Sequence, residues 1–346
     1  MNIFGAAFFR LFSNDLAIDL GTANTLIWMP GKGIILDEPS VVAFDRSTKH
    51  IIAIGKEAQT MIGKTHKDIK VIRPLRDGVI ADFEIAEGML RAFIHKVTKN
   101  WQPPRRVVIG VPSGISEVEK RAVRDSAEHA GAREVHLIAE PMAAAIGIGM
   151  DVHQSIGNMI VDIGGGTSEI AVISLAGIVV DLSLRIAGNV MNNNIIQFFR
   201  RTHNLLIGER SAEIIKHQAG SAAPMDEELE IEVRGRDLVT GIPKMIVVSS
   251  VDIRNALSEP ISEIVNGILR LLEQTPPELA ADILERGIFL SGGGALLKEL
   301  DKRISKETGM AVYIAEDPLQ AVARGTGKVL ENLSYYSPVL IKNTRY

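Results

Sequence analysis

One short pattern occurs twice in this sequence, and it constrains the fold more than any other feature. The stretch AIDLGTANTLIW begins at Ala17, and IVDIGGGTSEIAV begins at Ile160. Each has an apolar run, an aspartate, an apolar residue, glycine with a small hydroxyl residue, and a second apolar run. The two aspartates, Asp19 and Asp162, are separated by about the length of one ordinary domain. The spacing predicts a duplicated unit, and each copy indicates a β-hairpin with a glycine turn.

Short apolar runs alternate with amphipathic stretches along the chain, which favours an α/β architecture. With 346 residues, 46% of them hydrophobic, the chain is long and apolar enough for two compact domains. The stretch VVIGVP predicts a buried strand, and a capping box from Ser116 to Glu119 predicts the helix after it. A second strand, VHLIAE, ends at Glu140, and Pro141 opens the next helix. Ligands bind at this edge of open α/β sheets, so Glu140 is a candidate site residue.

Composition and charge argue against several classes of partner. The formal net charge of −4 disfavours nucleic acid, because binding a phosphate backbone requires a clustered excess of Lys and Arg. The sequence has no cysteine, which excludes disulfides and thiolate metal sites and fits a reducing cytosol. The eight histidines include no pair at ligand spacing, so a structural zinc site is disfavoured.

The glycine turns have the composition of a phosphate site. Backbone N–H groups converge on a phosphate only where side chains leave room, which favours glycine and small hydroxyl residues. No turn completes the Walker A or G-x-G-x-x-G pattern, and one such turn alone is more often structural. An aspartate before each of two turns would repel a bare phosphate. The pattern therefore predicts Mg²⁺, held through water by Asp19 and Asp162 around a nucleoside triphosphate.

With a third turn at SGGGALL, the three turns resemble in order the phosphate and adenosine loops of the actin, sugar kinase and heat-shock chaperone ATPase superfamily. Longer stretches resemble one branch, MreB, the bacterial actin homologues that shape rod-like cells. These stretches cover nearly the whole chain: AIDLGTANTLIW, RPLRDGVIADFE, EPMAAAIG, VDIGGGTSEIAVISL, NLLIGERSAEIIK and PPELAADILERGIFLSGGGALL.

The resemblance implies an α/β, actin-like ATPase fold with two duplicated RNase H-like domains around a nucleotide cleft, each with a smaller inserted subdomain. Domain I is expected at about 1–145 plus 316–346, with its insert at about 33–75. Domain II is expected at about 146–315, with its insert at about 185–243.

The resemblance also implies which residues bind ATP. The two phosphate loops are expected at Thr22, Ala23 and Asn24, and at Gly164, Gly165, Gly166 and Thr167. Adenine and ribose are expected between two walls formed by Gly292, Gly293, Gly294 and Ala295, and by Glu209, Glu213 and Lys216. Glu140 is expected to orient the attacking water, with Thr167 as the second catalytic residue. The alternatives are a helix-dipole role for Glu140 and a solvated lysine at Lys216.

One stretch departs from the family. MreB proteins usually have an acidic segment of the form G-D-x-M-D-E-A-I, whereas this chain has GNVMNNNII, with amides at Asn189, Asn192, Asn193 and Asn194. Asparagine is tolerated near a helix start, so the fold is expected to survive. The lost negative charges leave the hydrolysis rate and the metal handling open.

Two segments indicate contact with a membrane. The first twelve residues place Ile3, Phe4, Phe8 and Phe12 on one side of a helix, the pattern of an interfacial helix. The stretch HKVTKNWQPPRR is basic and has Trp101 at its centre, and it resembles the membrane-inserting loop of MreB proteins. The alternatives are a terminal segment packed on the body and a solvated loop with one packed tryptophan.

The resemblance implies a homopolymer of antiparallel paired filaments, with Val118 on the pairing helix. It further implies a cytoplasmic protein on the inner face of the cell membrane that organises membrane proteins of the wall-elongation machinery. A slow ATPase is expected to act as a polymerisation switch. A chaperone-type ATPase and a small-molecule kinase of the same superfold are the alternatives, although neither a peptide-binding domain nor a second substrate base is evident.

Overall fold

The computed structural model describes residues 15–76, 78–98 and 104–342. Two five-stranded sheets in it have the same strand arrangement. In spatial order the first contains β10 (Glu134–Ala139), β9 (Arg106–Val111), β1 (Leu16–Leu20), β2 (Asn24–Met29) and β3 (Gly33–Pro39). The second contains β18 (Val312–Ile314), β17 (Ile288–Ser291), β11 (Asn158–Ile163), β12 (Ser168–Ser174) and β13 (Gly177–Leu184).

Each sheet combines a three-stranded antiparallel meander with two parallel strands. In the first sheet β1 pairs antiparallel with β2 and parallel with β9, and in the second β11 pairs antiparallel with β12 and parallel with β17. The repeated aspartates occupy equivalent places, since Asp19 is next to last in β1 and Asp162 next to last in β11. We call each sheet with its covering elements the first half and the second half of the molecule.

Smaller sheets extend each half. One contains β4 (Val42–Asp45), β5 (Ile51–Ile54) and β6 (Ile69–Ile72), and another contains β14 (Leu205–Leu206), β15 (Glu230–Asp237) and β16 (Pro243–Ser249). A short ladder pairs β7 (Leu75–Arg76) with β8 (Val79–Ile80).

Helices cover the sheets. The described α-helices are Gly55–Thr60, Phe83–Val97, Glu117–His129, Glu140–Gly147, Gly188–His203, Glu209–Ala219, Ser250–Gln274, Pro277–Arg286, Leu300–Thr308, Ala321–Glu331 and Leu333–Tyr336. Short 3₁₀ turns lie at Gly293–Leu296, Pro318–Gln320 and Ser337–Val339. The predicted capping box is present, with the Ser116 hydroxyl accepting from the Glu119 N–H while the Glu119 carboxylate accepts from the Ser116 N–H.

The two halves meet at a pair of crossing helices, Glu140–Gly147 and Ala321–Glu331, which belong to an apolar core lying between the two sheets. The crossing is made at glycine. A Cβ built on Gly147 would lie 1.9 Å from the Ala321 carbonyl oxygen, and one on Gly325 would lie 1.7 Å from the Ala143 carbonyl oxygen. The helix backbones therefore touch, and this contact sets how the halves face each other.

Candidate functional site

A cavity of about 420 Å³ lies between the two halves, and all three glycine turns reach it. Most of the residues proposed from the sequence line this cavity. They are Asp19, Thr22, Ala23, Asn24, Glu140, Asp162, Gly164, Gly165, Gly166, Thr167, Glu213, Lys216, Gly292, Gly293 and Gly294. Residues far apart in the chain thus converge on one space.

The first turn is fixed from behind by hydrogen bonds. The Ser40 hydroxyl donates to the Gly21 carbonyl oxygen at 2.6 Å, and the Ser40 N–H donates to the Ala23 carbonyl oxygen at 2.9 Å. On the cavity side, the Gly78 N–H donates to the Thr22 hydroxyl at 3.3 Å. These contacts hold the turn in one conformation before any ligand arrives.

The second turn faces the first directly. A Cβ built on Gly165 would lie 2.6 Å from the Ala23 Cβ, so the two turns approach as closely as glycine allows. The start of the helix Gly188–His203 supports the second turn, because the Asn189 N–H donates to the Gly165 carbonyl oxygen at 2.8 Å. Two turns with small residues therefore face one another across a narrow gap, which suits a phosphate chain.

Burial dominates the chemistry of three of the carboxyl groups that line the cavity. Burial, with Asp162 and Asp37 nearby, raises the pKa of Asp19 to about 8. Burial raises the pKa of Asp162 to about 6, although a hydrogen bond of 2.6 Å from the Ser291 hydroxyl opposes the rise. Burial and the neighbouring carboxylates also raise the pKa of Glu140 well above its ordinary value. Charged forms of these groups need a positive partner in the cleft.

A divalent cation could be the positive partner of these carboxyl groups if a bound ligand supplied some of the groups that coordinate it. Within the described ranges, no cluster of three or more His, Asp or Glu side chains is close enough to hold a metal directly. Two aspartates at the ends of β1 and β11 match a Mg²⁺ ion that keeps several waters and takes its other ligands from phosphate. The residues present therefore fit a metal–nucleotide complex better than a metal site made of protein alone.

The raised carboxyl pKa values predict how stability depends on pH without metal. Between about pH 6 and about pH 8 folded Asp19 keeps its proton while the unfolded chain has lost it, so the free energy of unfolding falls as pH rises. The substitution Asp19→Asn removes this titration. We expect the melting temperature of the variant to exceed that of the wild type, and by more at pH 8 than at pH 6. An equal offset at both pH values would contradict the assignment.

The third turn and the helix Glu209–Ala219 form the far end of the cavity. Gly292 has a φ of 78°, and a Cβ there would lie 2.4 Å from the Ile163 carbonyl oxygen, so only glycine fits. Opposite it, Lys216 donates to the Gly188 carbonyl oxygen at 3.1 Å, and burial lowers its pKa. Lys216 is therefore a largely buried lysine at the cavity wall and not a solvated one.

Two of the proposed adenosine residues are placed differently. Glu209 is absent from the cavity wall and forms an ion pair of 3.0 Å with Arg73, which reaches across from the first half. Arg73 also donates to the Ala23 carbonyl oxygen at 3.5 Å. Ala295 is fully buried behind the third turn. The Arg73–Glu209 pair joins the two halves above the cavity.

The asparagine segment occupies the first two turns of the helix Gly188–His203, with Asn189 in the first turn and Asn192, Asn193 and Asn194 in the second. Asn189 lines the cavity, while Asn192 is buried. The helix forms despite the amides, as expected from the sequence.

The surface residues proposed from the sequence fall into two groups. Val118 lies on the helix Glu117–His129 and is 76% exposed. Ile3, Phe4, Phe8, Phe12 and Trp101 lie outside the described residues. No helix within residues 15–76, 78–98 and 104–342 is both long and apolar enough to cross a bilayer.

Sequence reasoning missed some wall residues. Gly78 reaches the cavity with a φ of 76° from the short ladder of β7 and β8, and Gly188 reaches it from a helix start. Gly78 lies in RPLRDGVIADFE, which resembles the family, and Gly188 opens GNVMNNNII, which departs from it. A glycine within such a stretch is the sequence signal that could have identified these wall residues.

Comparison with known proteins gives a consistent result. A family described as "MreB/Mbl protein" matches residues 13–337. The cell shape-determining protein MreB of Escherichia coli strain K12 is 54% identical over 332 residues, which cover 94% of this chain and 96% of the relative. The cell shape-determining protein Mbl of Bacillus subtilis strain 168 is 47% identical over 324 residues, which cover 93% of this chain and 97% of that protein.

Solved structures agree on the fold. MreB5 of Spiroplasma citri bound to AMPPNP matches with a TM-score of 0.88 and 39% identity, covering 93% of this chain and 97% of that one. A MamK double helical filament matches with a TM-score of 0.78 at 24% identity, covering 92% and 99% of the two chains, which supports the fold alone. The predicted actin-like α/β fold is confirmed.

Proposed function

Because the chain belongs to the MreB/Mbl family, we propose that it is an ATP-dependent, actin-like cytoskeletal protein that determines cell shape. The observation that carries the proposal is the pair of glycine turns that face one another across the cleft, each preceded by an aspartate. Relatives named as cell shape-determining proteins favour this function over a chaperone or a small-molecule kinase.

ATP is the proposed ligand of the cavity. The MreB5 structures bound to AMPPNP and ADP support a nucleotide here, since they share the fold at 39% identity. We infer that backbone N–H groups of the first turn, residues 22–24, and of the second turn, residues 165–167, bind phosphate oxygens from both sides. Asp19 and Asp162 hold Mg²⁺ through water, and the ion offsets the negative charge of the phosphates.

Slow ATP hydrolysis is proposed to act as a switch for polymerisation. Glu140 begins a helix at the carboxyl end of β10 and lines the cavity, so its carboxyl group can accept a hydrogen bond from the attacking water and orient it. Thr167 closes the second turn, where the Gly164 N–H donates to its carbonyl oxygen at 2.9 Å, and it lines the same cavity as Glu140. Glu213, Lys216 and residues 292–294 bound the nucleoside end.

We assign the domains as expected from the resemblance: residues 1–145 with 316–346 form domain I, and residues 146–315 form domain II. The crossing helices support this division, because Glu140–Gly147 and Ala321–Glu331 are where the chain passes between the two sheets. In this proposal the two halves open and close about that crossing, and this movement changes the surface of the subunit according to the bound nucleotide.

The surface proposals follow the family. Subunits stack into filaments that pair antiparallel through the helix bearing Val118, beneath the inner face of the cytoplasmic membrane. The two proposed membrane segments precede β1 and β9 in the sequence. Because these strands are parallel neighbours, both strands begin at the same end of the first sheet. There the Arg106 N–H, at the start of β9, donates to the Asp15 carboxylate, just before β1, at 3.1 Å. Membrane proteins of the wall-elongation machinery are the proposed partners.

The test combines electron microscopy with co-pelleting on vesicles that contain anionic lipid. With Mg²⁺-ATP we expect paired filaments lying on the vesicles, and without nucleotide we expect dispersed protein. Monomers that remain in the supernatant in both conditions would overturn the proposal.

One substitution separates pairing from stacking in this assay. Val118→Glu places a charge on the proposed pairing helix, so single filaments are expected in place of pairs. Leu175→Glu, at an exposed hairpin turn of the second half, is the matched control and is expected to leave pairs intact. Normal pairs with Val118→Glu would show that this helix is not the pairing element.

A further inference from the structure

One buried carboxylate is not used by the proposed chemistry. Glu169 lies on β12, is fully buried, and is the direct cross-strand neighbour of Asp162 on one side and Ser183 on the other. Its carboxylate accepts three hydrogen bonds: from the Ser183 hydroxyl at 2.6 Å, from the Ser113 hydroxyl at 2.7 Å and from the Ser113 N–H at 3.1 Å. Such complete pairing offsets much of the cost of burying a carboxyl group.

The donors come from different halves of the molecule. Ser183 belongs to β13, in the same sheet as Glu169. Ser113 belongs to the loop that follows β9 of the first half, before the helix Glu117–His129. This loop is pressed against the second half, since a Cβ on Gly114 would lie 3.1 Å from the Ser183 Cβ. Glu169 therefore joins the two halves at a point separate from the crossing helices.

The joined loop continues to the wall of the cavity. Gly78 lies against both Pro112, the neighbour of Ser113, and Thr167. A Cβ built on Gly78 would lie 3.0 Å from the Pro112 Cγ and 2.8 Å from the Thr167 Cγ2. The same Gly78 donates its N–H to Thr22 of the first turn. Gly78 therefore connects both phosphate turns to the loop that Glu169 holds, on the side of the cavity where Thr167 lies.

We propose that Glu169 is a positioning residue for ATP hydrolysis: it fastens the loop 112–115 of the first half to the second half and so fixes the closed geometry around Thr167 and Glu140. The inference rests on the proposed function. Small displacements at a reacting centre cost far more in rate than in ligand binding. Glu169 is thus expected to affect the chemical step more than nucleotide affinity.

The two serines provide a matched pair of variants. Ser113→Ala and Ser183→Ala each remove one hydroxyl donor from the same carboxylate, but only Ser113 crosses between the halves. We expect Ser113→Ala to slow single-turnover ATP hydrolysis by about tenfold, with the Kd for ATP changed less than about threefold. We expect Ser183→Ala to change both quantities less than about threefold.

Two substitutions of Glu169 test whether its hydrogen bonds to Ser113 and Ser183 are what hydrolysis requires. A glutamine can accept from Ser113 and donate to Ser183, so Glu169→Gln is expected to keep hydrolysis within about threefold of the wild type. Glu169→Ala loses the joint and is expected to show at least the Ser113→Ala defect. Equal defects in both serine variants, or a loss of affinity equal to the loss of rate, would overturn the proposal.

A nucleotide-free measurement tests the joint independently of ATP chemistry. The Ser113 N–H donates to Glu169, so hydrogen exchange in residues 113–115 is expected to accelerate in Glu169→Ala but not in Ser183→Ala or Glu169→Gln. Unchanged exchange in Glu169→Ala would show that the joint does not form. Changed exchange with no hydrolysis by the wild type would confirm the joint while contradicting the proposed ATPase.

Discussion

Replacing Glu140 with alanine is expected to slow ATP hydrolysis by at least about a hundredfold while ATP still binds. Glu140, the carboxyl group proposed to orient the water, follows the end of β10 and opens the helix Glu140–Gly147. The phosphate turns do not depend on its side chain. Single-turnover hydrolysis and equilibrium ATP binding, measured on the same preparation, check both parts.

The control for this prediction is Glu140→Gln, which keeps the volume and one acceptor but no charge. Because burial and neighbouring carboxylates raise the pKa of Glu140, removing the carboxylate is expected to leave the folded protein as stable as the wild type or more so. A slow hydrolysis rate in a stable protein then reflects chemistry. Wild-type rates in both variants would mean that another group orients the water.

Replacing Gly147 with alanine is expected to destabilise the fold strongly. The new Cβ would lie 1.9 Å from the Ala321 carbonyl oxygen, and backbone atoms on both sides of the crossing cannot yield without separating the helices. Ordinary overpacking costs about 1–3 kcal/mol, and a clash with backbone is expected to exceed that range. The free energy of unfolding, measured by denaturant titration, should fall accordingly or the protein should fail to accumulate.

Gly177→Ala is the matched substitution at a harmless position. A Cβ there would lie 3.6 Å from the Ser174 carbonyl oxygen, which is ordinary contact. Its free energy of unfolding should stay within about 1 kcal/mol of the wild type. A Gly147→Ala protein of wild-type stability would mean that the two helices are not in backbone contact.

Much of the fold was predictable because its signals are local. The two aspartate-glycine hairpins, the Ser116 capping box and the strand that ends at Glu140 all depend on residues close in the sequence, and each is where the sequence predicts it. The duplication was also predictable, and it is seen in the matching strand orders of the two sheets.

The contacts between the halves were not predictable. Gly78 meets Thr167, Ser113 meets Glu169, and Arg73 meets Glu209. Each pair joins segments far apart in the chain, and no local periodicity records such contacts. The resemblance assigned Glu209 to the adenosine wall, whereas the structure pairs it with an arginine above the cavity; its role toward nucleotide stays a proposal.

The most direct test of the central claim is a crystal structure of this protein with AMPPNP and Mn²⁺, an ion that replaces Mg²⁺ and scatters anomalously. The account predicts phosphates between residues 21–24 and 164–167. It also predicts one anomalous peak at about 4 Å from the carboxylates of Asp19 and Asp162, the distance for ligation through water. Phosphates bound outside the two turns, or a metal remote from both aspartates, would contradict the account.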